Sequence, residues 1–399
     1  MLTAVSLRIF NNSFIVGLGI RFIFMIYIIY YNLFLTKNKS KYINIYLLGI
    51  FIYVLLFGIN ILYDKGFSAL SYELKSTIKS FYFPVILVGL INIFKDNKNI
   101  DIKILSKLFI IYCLGVLIPN LLGIGFISYE VTKSGSIGFF YTANEIGAII
   151  SILMVPYFIN LYSNKKYLYL IISSLIVLYL LTSIGTKGPL ILFIIMIIYL
   201  FIKYLKSLLK SKKYKVFSMM SISIIVFLSL FIVLLPRTNF YKNIVVHLEF
   251  LKVDSIDDIF KSEKVFDHFI FSERLSFWNK TNKIYMKSNI FDKLLGIGYI
   301  SNYSTDNASM KMVEMDFVDI FYRHGIIGFV IYMGSLLLII YRLFTFRKKK
   351  FDNKEIYVIS IAFSIVLALI TGHVLVAPAV SIFVALIINL FYNQIIGDE

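Results

Sequence analysis

The sequence offers almost nothing for cross-linking. Its 399 residues include one cysteine, Cys113, in an apolar run, which excludes a disulfide within the chain and leaves no thiolate metal site. Charge is equally thin: Asp, Glu, Lys and Arg make up 16% of the residues, against about 25% in soluble chains. Six prolines and one tryptophan, Trp278, complete the list of scarcities. Hydrophobic residues fill the gap, at 59% of the chain, in repeated apolar runs of about 18 residues or more. A soluble domain cannot hide that much apolar surface. Backbone groups in hydrocarbon must bond within their own segment, so runs this long predict helices rather than barrel strands. The expected class is an all-α polytopic membrane protein.

Eleven transmembrane helices are expected, within a range of ten to twelve, at roughly 14–35, 43–62, 77–94, 106–127, 143–162, 168–184, 189–207, 217–235, 317–341, 356–372 and 374–393. Residues 1–13 read as an interfacial helix. No small-residue cleavage site follows the first apolar stretch, so that stretch is expected to be a retained span. The net charge of +18 would suit a nucleic-acid partner, but its distribution argues against one. The short loops 36–42, 95–107, 163–167, 203–215 and 342–354 hold 21 Lys and Arg, and the alternate loops 63–79, 128–142, 184–188 and 371–374 hold five. By the positive-inside rule the first set, and with it the C-terminus, faces the cytoplasm. Three regions follow: N-terminal transmembrane helices over 1–235, one large, partly helical extracytoplasmic loop over 236–316, and C-terminal transmembrane helices over 317–399. The large loop holds 11 basic and 11 acidic residues and is expected to be folded, because loops longer than about 15 residues are usually functional or disordered.

The stretch EMDFVDIFYRHGIIGFVIYM, residues 314–333, breaks the rule that spans avoid charge. Glu314, Asp316, Asp319, Arg323 and His324 precede an apolar run. On a helix, Asp316, Asp319 and Arg323 fall within about 60° of one another. They suit either an Asp319–Arg323 ion pair at i,i+4 or a site. Other ionisable or polar residues belong to the same expected face. Lys187 lies in SIGTKGP, Arg237 in LLPRTN, Arg274 in FSERLSFW, Asn144 in YTANEIG and His373 in the last outer hairpin. Each also has a plain structural use: snorkelling for Lys187, interfacial anchoring for Arg237, pairing with Glu273 for Arg274, helix capping for Asn144 and hydrogen-bonded packing for His373.

These segments, in this order, resemble the O-antigen polymerase and ligase superfamily (Wzy-type), and within it the capsule or exopolysaccharide repeat-unit polymerases. SIGTKGP is similar to an arginine-bearing turn of the family, with Lys187 in place of the arginine. FSERLSFWNKTNKIYMKSNIFDKLLGIGY is similar to a Gly-Arg-x-x-x-Trp segment leading to Gly-x-Gly, with Glu273 in place of the glycine and Arg274 matching. VEMDFVDIFYRHGIIGF resembles the segment entering the span after the large loop, and ends on Gly325 and Gly328. YTANEIGAI resembles an asparagine-containing opening of a middle span. Ligases of the superfamily carry a His-Asn pair eleven residues before the first of those glycines; here that position is Glu314, which favours a polymerase.

The resemblance implies a bacterial membrane glycosyltransferase, multi-pass in the cytoplasmic (inner) membrane, that needs no cofactor and no metal and inverts the anomeric centre. Its substrate would be oligosaccharide repeat units on a polyprenyl (undecaprenyl) diphosphate at the outer leaflet. A flippase and a chain-length regulator would be its partners, besides the lipid bilayer. Glu314 is the first choice for the base, then Asp316, then His324. Arg274 leads the diphosphate-binding set, with Lys187, Arg237, Arg323 and Asn144. The alternatives are an O-antigen-type ligase using another acceptor and, in a different class, a flippase for lipid-linked oligosaccharides. The second predicts paired, interrupted spans with midplane charges, which six prolines in the whole chain do not favour.

Overall fold

The computed structural model describes residues 15–37, 40–97, 102–128, 135–211, 235–251, 256–300, 310–345 and 354–396, with single positions at 229, 233 and 253. Fifteen α-helices are described: α1 Ile15–Tyr30, α2 Lys41–Lys65, α3 Phe67–Asp96, α4 Lys103–Leu121, α5 Ala143–Ser163, α6 Tyr167–Ile184, α7 Lys187–Lys210, α8 Asn239–Leu251, α9 Ile256–Lys261, α10 Glu263–Phe266, α11 Arg274–Lys287, α12 Ile290–Leu295, α13 Asp316–Thr345, α14 Lys354–Ile370 and α15 Pro378–Ile396. Among the described residues there is no strand, only an isolated bridge between Ile127 and Ser136. Eight helices are long and apolar enough to cross a membrane: α2 to α7, α13 and α15. The chain is a multi-pass, all-helical membrane protein.

Two of the remaining expected spans are present as shorter apolar helices. The first is α1, which runs on into a π-turn at Tyr31–Leu35, and the second is the 17-residue α14. The expected span at 217–235 and the interfacial helix at 1–13 lie outside the described residues, apart from positions 229, 233 and 235.

The helices form two compact units. One, from Lys103 to Asp258, holds α4 to α8 and is centred on α5, buried along most of its length and packed on α4, α6 and α7. The other holds α1 to α3 and everything from Ile259 onward, and is centred on α3, which packs against α1, α2, α13 and α15. The segment 236–316 therefore contributes α8 to the first unit and α10 to α12 to the second.

Within the second unit, α13 is two helices in one. Gly325 sits at φ 64°, ψ −171°, a conformation almost reserved for glycine, and interrupts the helix after His324. An interruption strands the carbonyls of the preceding turn. Here the loop Gly296–Gly298 takes them: Ile297 N–H donates to Tyr322 O and Gly298 N–H to Arg323 O, both at 3.1 Å. The single O–H of Tyr53, from α2, is shared between His324 O at 3.0 Å and Leu295 O at 2.9 Å. Contact this close excludes side chains, since a Cβ on Gly325 would lie 2.5 Å from Gly296 N. The residues beyond the break, 326–345, rise about 30 Å as a helix and can cross the hydrocarbon alone.

Gly325→Ala forces a β-carbon into both the forbidden dihedral and that contact. The folded yield extracted from membranes should fall several-fold, consistent with strain of about 1–3 kcal/mol before any clash. Gly334→Ala, whose β-carbon would meet nothing nearer than Tyr46 at 3.7 Å, should extract like the parent chain.

Candidate active site

Charged residues of the second unit sort into a sealed layer and a partly open one. In the sealed layer, carboxylates accept backbone N–H groups that no helix satisfies. Asp316, fully buried in the first turn of α13, accepts from His373 N at 2.7 Å, Val374 N at 2.9 Å and Leu375 N at 2.6 Å, fixing the segment that joins α14 to α15. Asp319 accepts from Val313 N at 2.9 Å and Glu314 N at 2.8 Å, closing the approach to its own helix. Glu73, buried in α3, accepts from Tyr299 N at 2.8 Å and Ile300 N at 2.7 Å, and pairs with Lys65 at 2.8 Å. Lys65 also donates to Ile297 O at 2.5 Å.

Arg323 does the complementary task. Nη1 donates to Gly298 O and Nη2 to Lys311 O, each at 3.0 Å. The Asp319–Arg323 ion pair that their spacing allows is not among the salt bridges of the described residues, because each side chain turns to backbone instead. His324 is enclosed by the rings of Phe81, Tyr299, Phe57 and Tyr53, with centroids 5.0–6.2 Å away. Its Nε2 meets the Tyr299 hydroxyl at 3.0 Å, which also meets the Ser80 hydroxyl at 2.5 Å. Burial pushes the Tyr299 phenol far up, so it stays neutral.

The open layer is Arg274, Glu314 and His373. Arg274, the first residue of α11, donates through Nε to Glu314 O at 3.0 Å and through Nη2 to Glu314 Oε2 at 3.0 Å. It also donates to Phe271 O at 3.3 Å and Thr371 O at 3.2 Å. Four of its five N–H groups are thus engaged by three separate loops. Glu273, the alternative partner for Arg274, instead lies 3.1 Å from His268. His373 Nε2 stands 3.9 Å from Glu314 Oε1, a distance of charge interaction rather than of hydrogen bonding. Glu314 keeps 36% of its side chain exposed and His373 31%, against 10% for Arg274. Burial raises the Glu314 carboxyl, but His373 and the Arg274 guanidinium outweigh it and hold its pKa below the ordinary 4.5. Glu314 is therefore an ionised, accessible carboxylate at neutral pH.

The backbone here is strained. Among the described residues, five other than glycine have positive φ, and four of them surround this pair: Ser272 at 53°, Glu273 at 67°, Glu314 at 63° and His373 at 57°. Such positions cost of order 1–3 kcal/mol and concentrate at functional sites.

The remaining predicted residues belong to the first unit. The turn Ser183–Pro189 joins α6 to α7 and is approached by Gly147 of α5 and by Asn239 and Asn243 of α8, which donate to Ser183 O at 3.4 Å and Gly185 O at 3.5 Å. Lys187 opens α7, Asn144 lies in the first turn of α5, and Arg237 is exposed in the short 3₁₀ turn before α8. Asn144 is not the cap of α5; Thr142 is, its hydroxyl accepting from Glu145 N at 3.4 Å. Sequence reasoning passed over Lys65, Glu73 and Tyr299 and treated His373 as packing. Glu73 falls in 63–79, which reads from the sequence as a loop ahead of the expected span, so no local signal marks it.

These features define a class: a multi-pass helical membrane protein with a partly open carboxylate–guanidinium pair on loops that its spans hold rigid. The chain belongs to the family described as O-antigen ligase like membrane protein, whose model matches residues 1–264 and 252–396. Membership makes it a membrane enzyme of glycosyltransferase type acting in O-antigen-related polysaccharide biosynthesis, and covers polymerases and ligases alike. No match was found among curated proteins or among solved structures.

Asp316→Asn replaces a carboxylate that takes three N–H bonds with an amide that can offer one oxygen. Hydrogen bonds to charged groups are worth about 1.5–3 kcal/mol, so the detergent-solubilised variant should melt at clearly lower temperature. Glu314→Gln should melt close to the parent, since its backbone bonds to Asp319 and Arg274 survive. Paired thermal melts check both.

Proposed function

We propose that the chain is a polysaccharide polymerase that joins polyprenyl-diphosphate-linked oligosaccharide repeat units at the outer face of the membrane, with Glu314 as general base. One observation carries the assignment within the site. Of the three candidate bases, Glu314 alone keeps a substantial exposed surface, while Asp316 spends its oxygens on three backbone N–H groups and His324 is enclosed in aromatic rings.

In the proposed step Glu314 takes the proton from an acceptor sugar hydroxyl. The hydroxyl oxygen forms its bond to the anomeric carbon of the donor, and the bond from that carbon to the diphosphate breaks. The lipid diphosphate leaves with the electron pair, and a single displacement inverts the centre. A positioned base of this kind contributes about 10²–10⁴ in rate. Arg274 holds Glu314 ionised and oriented, and its one uncommitted N–H is its remaining donor for a phosphate oxygen. Glu314 at the position where ligases of the superfamily carry a His-Asn pair supports the polymerase over the ligase. The flippase reading calls for spans broken near the midplane, whereas the interruption at Gly325 precedes residues 326–345, which can cross on their own.

Cells carrying Glu314→Gln at parental protein levels should accumulate single lipid-linked repeats at the outer face, with elongation reduced about 10²–10⁴-fold. Persistence of long glycan would remove Glu314 from the base role. Absence of single repeats from the outer face would transfer the proposal to the flippase.

The pH profile gives an independent check. The base works when ionised, so elongation is lost as pH falls through the Glu314 pKa, which lies below the ordinary carboxylate value. His373→Asn removes one of the groups that depress it, while asparagine tolerates the left-handed φ of 57° and keeps the N–H that Asp316 holds. The acid limb should move to higher pH in membranes of the variant, and an unmoved limb would uncouple His373 from Glu314.

A further inference from the structure

The turn between α11 and α12 carries surface that neither the fold nor the proposed chemistry uses. Met286, Ile290 and Phe291 are each 62% exposed and Ile284 is 46% exposed, a concentration of large apolar side chains unusual outside a span. Exposed polar residues of the same stretch are Lys280, Lys283, Lys287, Asn279 and Asn289; the acid among them, Asp292, is buried. The face is thus apolar and cationic, with no exposed carboxylate between residues 279 and 291.

The turn is also rigid and held at a defined height. Ser288 Oγ donates to Tyr285 O at 2.8 Å, Asn289 Oδ1 caps α12 by accepting from Asp292 N at 2.8 Å, and the Tyr285 hydroxyl donates to Lys293 O at 2.8 Å. Asp292 in turn accepts from Asn60 Nδ2 of α2 at 2.9 Å. Helix α2 has 25 residues, and its exposed stripe, Leu48, Ile52, Leu55, Ile59 and Tyr63, has the spacing of a lipid-facing side. At 1.5 Å per residue it is about 37 Å long against a hydrocarbon thickness of about 30 Å. Asn60, five residues from the helix end, therefore stands within about one helical turn of the hydrocarbon boundary.

We infer that the turn Met286–Phe291 is seated in the lipid bilayer at its interface, its apolar side chains in the acyl boundary and Lys283 and Lys287 on lipid phosphates. A cationic face with buried large apolar residues is the composition such surfaces need, and the lysine stems can lie along the apolar region while their ammonium groups reach the phosphates. The bond from Asp292 to Asn60 sets the turn at that depth. The inference requires only that α2 crosses the membrane, and is independent of the reaction assigned to Glu314.

The chain's single cysteine is buried, which makes labelling clean. In a Cys113→Ser background, Phe291→Cys, Ile290→Cys and Met286→Cys would each carry an environment-sensitive fluorophore. The proteins would be reconstituted in phosphatidylcholine–phosphatidylglycerol vesicles. Nitroxide lipids should quench at least two of the three labels to within about twofold of Ile59→Cys, with little quenching by iodide. Quenching by iodide and not by nitroxide lipid would put the turn in water and overturn the inference. Protection from both quenchers would mean that protein covers the turn, a second copy or a partner, and would overturn it equally.

Discussion

Irregular backbone packed against membrane spans has to satisfy its own polar groups, and in the second unit fixed charges satisfy them. An unpaired N–H or C=O away from water loses free energy comparable to a whole hydrogen bond, and the interruption of α13 at Gly325 creates several at once. The division of labour is chemical. Carboxylates can only accept, so Glu73, Asp316 and Asp319 take N–H groups of Tyr299, Ile300, His373, Val374, Leu375, Val313 and Glu314. Asp267 does the same for Leu275 and Ser276 at the start of α11. Cations can only donate, so Lys65, Arg274 and Arg323 take the carbonyls of Ile297, Phe271, Glu314, Thr371, Gly298 and Lys311. Each buried charge is repaid by bonds of about 1.5–3 kcal/mol, which is why these residues can sit where an unpaired charge could not.

That arrangement explains how five ionisable groups in eleven residues come to have different uses. Asp316 and Asp319 take backbone N–H groups of neighbouring loops, Arg323 gives its two terminal nitrogens to loop carbonyls while its Nε has no partner among the described residues, and His324 fills an aromatic enclosure. Glu314 differs because its backbone is held on both sides, its N–H by Asp319 and its carbonyl by Arg274, while its carboxylate takes one hydrogen bond, from Arg274. The carboxylate is left partly exposed, touched by one guanidinium and faced by one imidazole. The scaffolding carboxylates and the open one have the same chemistry; what separates them is the number of N–H groups within reach.

Much of this was legible in the sequence, in proportion to how local the physics is. Apolar run length predicted the spans, and the eight that qualify by length and composition fall at expected positions, because crossing hydrocarbon is a constraint each segment meets alone. The resemblance gives Arg274 and Glu314 separate roles, and no spacing rule predicts the contact between them, since they lie forty positions apart. Glu73 escaped notice for the same reason. Its partners lie 226 and 227 residues away, and no periodicity reports a contact of that range. The i,i+4 spacing of Asp319 and Arg323 suggested an ion pair, yet both side chains follow the unsatisfied backbone that the break at Gly325 and the nearby loops provide. Local rules describe what a helix would do with its own neighbours; they cannot see a stranded carbonyl on a loop that arrives from elsewhere.

The strained positions show what the frame is for. The family resemblance puts a glycine before the arginine of α11, and the residue there, Glu273, has φ 67°, the conformation glycine adopts without strain. A side chain has been accepted at that price, with His268 3.1 Å from its carboxylate. Glu314 and His373 are bent the same way, at 63° and 57°, and Gly372 between Thr371 and His373 leaves no room for a β-carbon against Glu314 O. A chain free to relax would release several kcal/mol here, at about 1–3 kcal/mol per position. It is held because Asp316 fixes the loop on one side, Asp319 the strand of chain on the other, and Arg274 both together. The buried charges thus support one local geometry, and that geometry presents the Glu314 carboxylate to the outside while keeping its two backbone bonds inside.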